Sequence, residues 1–407
     1  MDPETRDLPS PDAATLAAVA WLLDGTHLST PDRLPGTVAE AGRALGWDVA
    51  VYLVTFNQRQ LVPLRLPAKG LPTHDITQGA AGRAFRSVRT VTDGDVAWVP
   101  LLDGVERIGV LRIQFPEPAE DAITAPGVPE QIRWFSLLVG HLVSIVSAHG
   151  DTITLVRGGA DRTLEAELLW NLLPPLTFAC DRVVIAGLLE PSERVAGDAF
   201  DYAVDGDVAT FALFDGSGHN LHSGLLTSVT VATYRSQRRH GADLAATARA
   251  IDEVLLAHTD GSGFATGVLA ELNLDTGLLR FVNAGHPRPV LLRDGRFVKS
   301  LDHAGRPIFG LGDAAVTVGE ERLRPGDQLV FYTDGITEAR TDDGAFFGLD
   351  ALIGLLERCA AERSPAPETL RLTVENVLAH QRGILQDDAT ILLVEWANLG
   401  GERLGPE

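Results

Sequence analysis

The chain has 407 residues, 45% apolar and 22% charged, with two cysteines and a formal charge of −21. That length suits two or three domains, and the mixture excludes disordered, collagen-like, coiled-coil and disulfide-scaffold architectures. The acidic excess argues against a nucleic-acid backbone or an anionic membrane surface as the main partner.

The first ten residues read as a loose leader, and Asp12–Leu23 carries Leu16, Val19, Ala20 and Leu23 at helical spacing. A second helix is expected over Thr37–Leu45, closed by Gly46. Strand-like alternation then appears over 49–54, Leu61–Leu66, Val96–Leu101 and Ile108–Ile113, with a short helix over Gly79–Phe85 and a hairpin at Asp103-Gly104. The spacing predicts an α+β unit of helices on one antiparallel sheet. A Pro- and acid-rich loop, Pro116–Pro129, leads to a helix over Glu130–Ser147 and a helical stretch over Asp161–Leu173 that stops at Pro174-Pro175. Residues 130–175 are expected to form a helical linker, weakened at Gly158-Gly159. The apolar run Trp134–Val146 falls short of the roughly 20 residues that span a bilayer, and no secretory pattern is visible. Cys180 and Cys359 stand far apart in no metal-ligand spacing. A cytoplasmic protein in a reducing compartment is the expectation.

From Val183 the pattern changes to short strands closed by Asp-Gly turns. Phe200–Val204 and Val208–Phe214 flank Asp205-Gly206, a hairpin signal, and helices follow over Leu221–Arg239 and Ala242–His258. Further strands are expected over Ala265–Leu272, Leu278–Asn283, Val290–Arg293, Arg296–Ser300, Val316–Leu323, Gln328–Tyr332 and Ala389–Trp396, with helices near Leu349–Glu362 and Glu368–Gln381. So many antiparallel strands fit two sheets packed face to face with helices outside.

Four aspartates stand at strand ends. Asp198 precedes a strand, Asp215 and Asp334 follow strands and are each followed by glycine, and Asp387-Asp388 opens the last strand. A lone Asp-Gly pair is ordinarily a turn, which is how Asp205, Asp275 and Asp294 read. Asp215 and Asp334 differ because non-hairpin sequence follows them. Convergent carboxylates would repel unless cations sat between them. Hard oxygen donors suit Mg²⁺ or Mn²⁺, and two such ions can activate a water for phosphoryl displacement.

Six ordered segments carry a specific resemblance: Val-Ala-Gly-Asp at 195–198, Asp-Gly-Ser-Gly-His at 215–219, Asn-Ala-Gly-His-Pro at 283–287, Tyr-Thr-Asp-Gly-Ile-Thr-Glu-Ala-Arg at 332–340, Phe-Phe-Gly-Leu at 346–349 and Asp-Asp-Ala-Thr at 387–390. In order and spacing they resemble the SpoIIE-like phosphatases of the metal-dependent PPM (type 2C) serine/threonine phosphatases. The resemblance implies an α-β-β-α sandwich over 176–397. It also implies two Mn²⁺ or Mg²⁺ ions held by Asp198, Asp215, Asp334, Asp387 and the Gly216 carbonyl, with Asp215 and Asp334 central to catalysis and Asp388 in support. The substrate it implies is a phosphorylated anti-sigma-factor antagonist. Residues 12–129 more distantly resemble a GAF domain, on Gln-Gly-Ala-Ala-Gly-Arg-Ala-Phe at 78–85, Val-Pro-Leu at 99–101 and Ile-Gly-Val-Leu at 108–111. That implies a sensor with a small-molecule ligand, acting on the phosphatase domain within a homodimer.

Two side chains keep two readings each. His286 either holds its loop or donates a proton to a leaving group; Arg194 either meets a phosphate or is a solvated loop residue. Ala-Gly-Asp-Ala-Phe at 196–200 also resembles a diguanylate cyclase signature, but that reading leaves Asp334 and Asp387 without a role. The alternative of a different class is a non-catalytic GAF/phosphatase-fold binding or scaffold module.

Overall fold

The computed structural model describes residues 12–27, 29–65, 70–158, 163–192, 197–218, 221–258, 263–302, 305–312 and 315–396. The chain divides into two compact units between Asp161 and Arg162. The division falls inside the expected 130–175 linker. The helix over Val128–Ser147 belongs to the core of the first unit, whereas Ala166 and Leu169 pack in the second.

In the first unit the strands are β1 (Asp48–Val54), β2 (Gln60–Pro63), β3 (His74–Asp75), β4 (Val91–Asp93), β5 (Val96–Asp103) and β6 (Glu106–Gln114). They form one antiparallel sheet in the order β3-β2-β1-β6-β5-β4. The helices are α1 (Ala13–His27), α2 (Leu34–Ala44), α3 (Gly79–Ser87), α4 (Ala119–Ala122), α5 (Val128–Ser147) and α6 (Thr152–Val156). Alternation along β1 sends Val49, Val51 and Leu53 to a face covered by α1, α2 and α5. Tyr52 and Val54 go to the opposite face, under Ala80, Ala84 and Phe85 of α3. Two-residue and three-residue strands such as β3 and β4 are too short to show alternation, so the sequence does not announce them.

Ser136 and Gly140, which interrupt the apolar run of α5, mark where that helix docks on β5. The Ser136 hydroxyl donates to the Pro100 carbonyl at 2.6 Å. A Cβ on Gly140 would stand 1.8 Å from the Leu102 carbonyl oxygen. The backbone itself is the contact surface, and only glycine fits. Among the described residues no helix is long and apolar enough to cross a membrane.

The second unit contains α7 (Leu164–Trp170), β7 (Thr177–Ala179), β8 (Val183–Glu190), β9 (Asp198–Asp205), β10 (Val208–Gly216), α8 (Leu221–Arg239), α9 (Leu244–His258), β11 (Ala265–Asn273), β12 (Leu278–Ala284), β13 (Val290–Arg293), β14 (Arg296–Ser300), β15 (Gly319–Arg322), β16 (Gln328–Tyr332), α10 (Asp334–Thr337), α11 (Gly348–Ala361), α12 (Ala366–His380) and β17 (Ala389–Trp396). One sheet runs β15-β12-β11-β10-β9 and the other β14-β13-β16-β17-β8-β7. Phe200, Phe211, Leu213 and Phe281 of the first meet Ile185, Leu291, Phe331 and Leu392 of the second in a shared core. The outer face of the first sheet is covered by α8 and α9, and that of the second by α11 and α12. The layer order is therefore helix, sheet, sheet, helix.

β16 and β17 keep the bounds expected from the sequence, Gln328–Tyr332 and Ala389–Trp396. Asp387 and Asp388 lie before β17, which begins at Ala389, and Asp334 starts the short α10 beyond extended Thr333. The backbones cross closely there: a Cβ on Gly335 would stand 1.9 Å from the Asp388 carbonyl oxygen.

Filling the α5–β5 contact tests the packing of the first unit. Gly140→Val is expected to destabilise that unit by about 3 kcal/mol, the upper range for overpacking, and to lower its transition in a urea or thermal melt.

Candidate metal centre

The β9–β10 hairpin pairs Asp198 directly with Asp215 across the strands. Alternation places both on the inner side with Phe200 and Leu213, so two carboxylates face the space between the sheets. Like charges directly opposite on neighbouring strands repel. Asp334 and Asp387 come from the second sheet, flanking the ends of β16 and β17, which pair at Tyr332 and Ile391.

Side chains tie the two sheet ends together. The Thr333 hydroxyl donates to Asp198 Oδ2 at 2.7 Å. The Asp388 carboxylate accepts from the Ser192 and Gly197 amides, each at 2.8 Å. Asp388 thus reaches from the second sheet to Ser192 and to Gly197, the residue directly before Asp198. The Gly216 amide donates to the Gly197 carbonyl at 3.0 Å. Its own carbonyl, an acceptor with two lone pairs, accepts from the Ser223 hydroxyl at 2.6 Å. Thr227, also on α8, donates to the Gly197 carbonyl.

The electrostatics are strained in one direction. Burial, then Asp215 and Asp388, hold the Asp198 carboxyl well above its ordinary value. Burial and the charges of Asp334, Asp387 and Asp388 push Asp215 up to about 8. Burial raises Asp388 as well, partly offset by the amides of Ser192, Gly197 and Asp198. Among the described residues no three His, Cys, Asp or Glu side chains already form a cage that could hold an ion. The carboxylates gather at one end of the sandwich without closing on a common point. The donor set is nevertheless all oxygen and anionic, which suits a hard divalent cation, and a cation is what would relieve the crowding. Asp334 and Asp387 also line a cavity of about 210 Å³ with Glu338, Arg340 and Gln386.

His286 is buried. Its Nδ1 pairs with the Thr266 hydroxyl at 2.8 Å, Asn283 holds its amide at 2.8 Å, and burial drives its pKa down to about 3. The ring is neutral near pH 7 and stands beside the metal candidates, because Thr266 is the cross-strand neighbour of Asp215. Arg194 lies outside the described residues. Thr333, Ser223 and Thr227 were not singled out from the sequence, since a hydroxyl residue next to a carboxylate carries no spacing signal of its own.

Residues 205–397 match the family model described as Stage II sporulation protein E (SpoIIE). The match contains Asp215, Gly216, Asp334 and Asp387, and Asp198 lies just before it. The chain is 26% identical over 273 residues to Protein IcfG of Synechocystis, covering 59% of this chain and 42% of that protein. To Phosphoserine phosphatase RsbU of Bacillus subtilis it is 24% identical, over 52% of this chain and 62% of the relative. It thus spans about half the length of the curated relatives it matches. Among solved structures, the SiaA-PP2C domain of Pseudomonas aeruginosa aligns with a TM-score of 0.47 at 24% identity, covering 52% of this chain and 85% of that one. The RsbU and RsbW domains of Rv1364c from Mycobacterium tuberculosis align with a TM-score of 0.46 at 25% identity, covering 53% and 61%.

Removing the Asp388 carboxylate tests its hold on Ser192 and Gly197. Hydrogen bonds to a charged acceptor are worth about 1.5–3 kcal/mol, so Asp388→Ala should speed amide exchange at Ser192 and Gly197 by roughly 10- to 100-fold. Hydrogen exchange read by mass spectrometry checks this, with the Leu213 amide in β10 as an internal reference. Over residues 205–397 the chain resembles the SpoIIE family.

Proposed function

We propose that the chain is a divalent-metal-dependent protein serine/threonine phosphatase whose second unit hydrolyses phosphoserine or phosphothreonine. One observation carries the reading: buried Asp198 and half-buried Asp215 face each other across a hairpin, with Asp334 and Asp387 brought in from the opposite sheet. Asp198, Asp215, Asp334, Asp387 and the Gly216 carbonyl would hold two Mn²⁺ or Mg²⁺ ions. Bound there, the ions would supply Lewis-acid activation of a water and neutralise charge on the phosphoryl group. The protein's own part is positional. Thr333 fixes one oxygen of Asp198, Asp388 anchors Gly197 directly before it, and Ser223 orients the Gly216 carbonyl. Neutral His286 keeps its loop against β11. No nucleophilic side chain is required, in keeping with a buried Cys359 whose thiol burial holds above its usual range.

Similarity to the phosphoserine phosphatases RsbU and RsbP of Bacillus subtilis supports the activity class. By the same reading the substrate is a phosphorylated anti-sigma-factor antagonist met in the cytoplasm. The PPM-type sandwich is supported by the helix, sheet, sheet, helix order of the second unit. The first unit acts as a GAF-like sensor: its two-faced antiparallel sheet suits that role, and a cavity of about 620 Å³ lined by Asp48, Arg65 and Arg112 offers room for a small-molecule ligand. Exposed Leu16, Trp21 and Leu23 of α1 and Ile145 of α5 supply an apolar surface for a homodimer.

Two measurements test the centre. Turnover of a phosphoserine peptide by the full chain should require Mn²⁺ or Mg²⁺ and fall at least about 100-fold in Asp215→Asn and Asp334→Asn. Metal-free turnover, or full activity in both variants, would leave the non-catalytic scaffold standing. Independently, Mn²⁺ at about 100 times its dissociation constant should stabilise the wild type by roughly 2.7 kcal/mol in a thermal melt. Without metal, Asp215→Asn should melt higher than the wild type, because one of the crowded charges is gone.

A further inference from the structure

The cavity beside Asp334 and Asp387 has a basic wall whose role the carboxylates do not explain. Arg340 lines it, on a tight turn that follows α10. Arg340 and Phe346 form an antiparallel bridge, the Thr341 amide donates to the Ala345 carbonyl at 3.0 Å, and the Phe347 amide donates to the Ala339 carbonyl at 2.8 Å. Outside partners brace the turn. His380 Nε2 meets the Ala345 carbonyl at 3.0 Å, and Gln386, just before Asp387, donates to the Arg340 carbonyl at 3.2 Å.

This turn holds the Arg340 guanidinium 4.5 Å above the ring of Phe346, itself 52% exposed. Stacking uses the face of a guanidinium and leaves the N–H edge free to donate in its plane. Nearby Arg382 pairs with Asp342, but among the described residues no carboxylate pairs with Arg340. An unpaired arginine held in place at the rim of an acidic cavity is suited to an anion that enters it. A phosphomonoester is such an anion, because its oxygens accept two parallel N–H bonds from one guanidinium.

We propose that Arg340 binds the phosphoryl oxygens of the substrate phosphomonoester, opposite Asp334 and Asp387. The inference rests on the phosphatase reading for its substrate class. Arg340 acts in binding, so its loss weakens the ground-state complex and leaves the chemical step to the carboxylate centre.

The test uses the full chain with Mn²⁺, a phosphoserine peptide, and inorganic phosphate as product inhibitor. Arg340→Ala should raise KM for the peptide and Ki for phosphate together by about 10- to 100-fold, with kcat within about threefold of wild type. Arg340→Lys, which keeps the charge without the fork, should fall between, and Arg382→Ala should match the wild type. A thermal shift induced by inorganic phosphate on the Mn²⁺-loaded protein gives a readout without turnover, and it should shrink in Arg340→Ala. If the wild type turns over while Arg340→Ala keeps KM and Ki unchanged, the assignment of Arg340 is wrong and the phosphatase reading stands. If the wild type shows no turnover but an Arg340-dependent phosphate shift, the activity is wrong and the anion site stands. Neither turnover nor shift overturns both.

Discussion

Mutual repulsion among buried carboxylates is the constraint around which the second unit is organised. Asp198, Asp215 and Asp388 are largely withdrawn from water, and each is pushed toward its protonated form, chiefly by burial. A fold keeps such a group only if something compensates it, because charge without a partner is costly in a low-dielectric interior. Part of the compensation is internal: backbone amides on Asp388 and the Thr333 hydroxyl on Asp198. Among the described residues Asp215 receives no comparable set of donors, and the charges of Asp334, Asp387 and Asp388 act on it. A divalent cation between the sheets would supply what the protein leaves out.

The same strain explains why small residues cluster at this end of the sandwich. Gly335 lets the start of α10 lie against the Asp388 carbonyl, and Gly216 lets β10 pass under Thr227 and Ser223, where a Cβ would stand 2.4 Å from the Thr227 hydroxyl. Neither glycine has a positive φ. Their function is clearance. The Asp-Gly pairs at 215–216 and 334–335 therefore look like turns in the sequence for a reason unrelated to turns.

Much of the second unit was legible because its elements are short, alternating and punctuated. The Asp205-Gly206 turn, with the pairing continued in register from it, is enough to bring Asp198 opposite Asp215, and the structure pairs them so. Bringing Asp334 and Asp387 to the same end required the order of strands in the second sheet, which periodicity does not encode. The role of Asp388 was hidden because its partners, the Ser192 and Gly197 amides, are nearly two hundred residues away. In the first unit, Glu130–Ser147 was recognised as a helix, but its place in the N-terminal core was obscured by Ser136 and Gly140. They interrupt an apolar stripe, yet they are contacts with β5. Arg340 carried no signal beyond its place in a motif, because its exposure and its stacking on Phe346 depend on a turn the sequence does not announce.

The β9–β10 hairpin has a consequence for how this sequence can change over time. Its two acids sit at the open mouth, and the tight turn at Asp205-Gly206 closes the far end. Side chains alternate strictly along both strands, so adding or removing one residue near that turn would slide one strand past the other and rotate an acid from the inter-sheet space to the helix-covered side. A distant, solvent-facing loop thereby sets the length tolerance of the centre: substitutions there are cheap, whereas insertions and deletions are not.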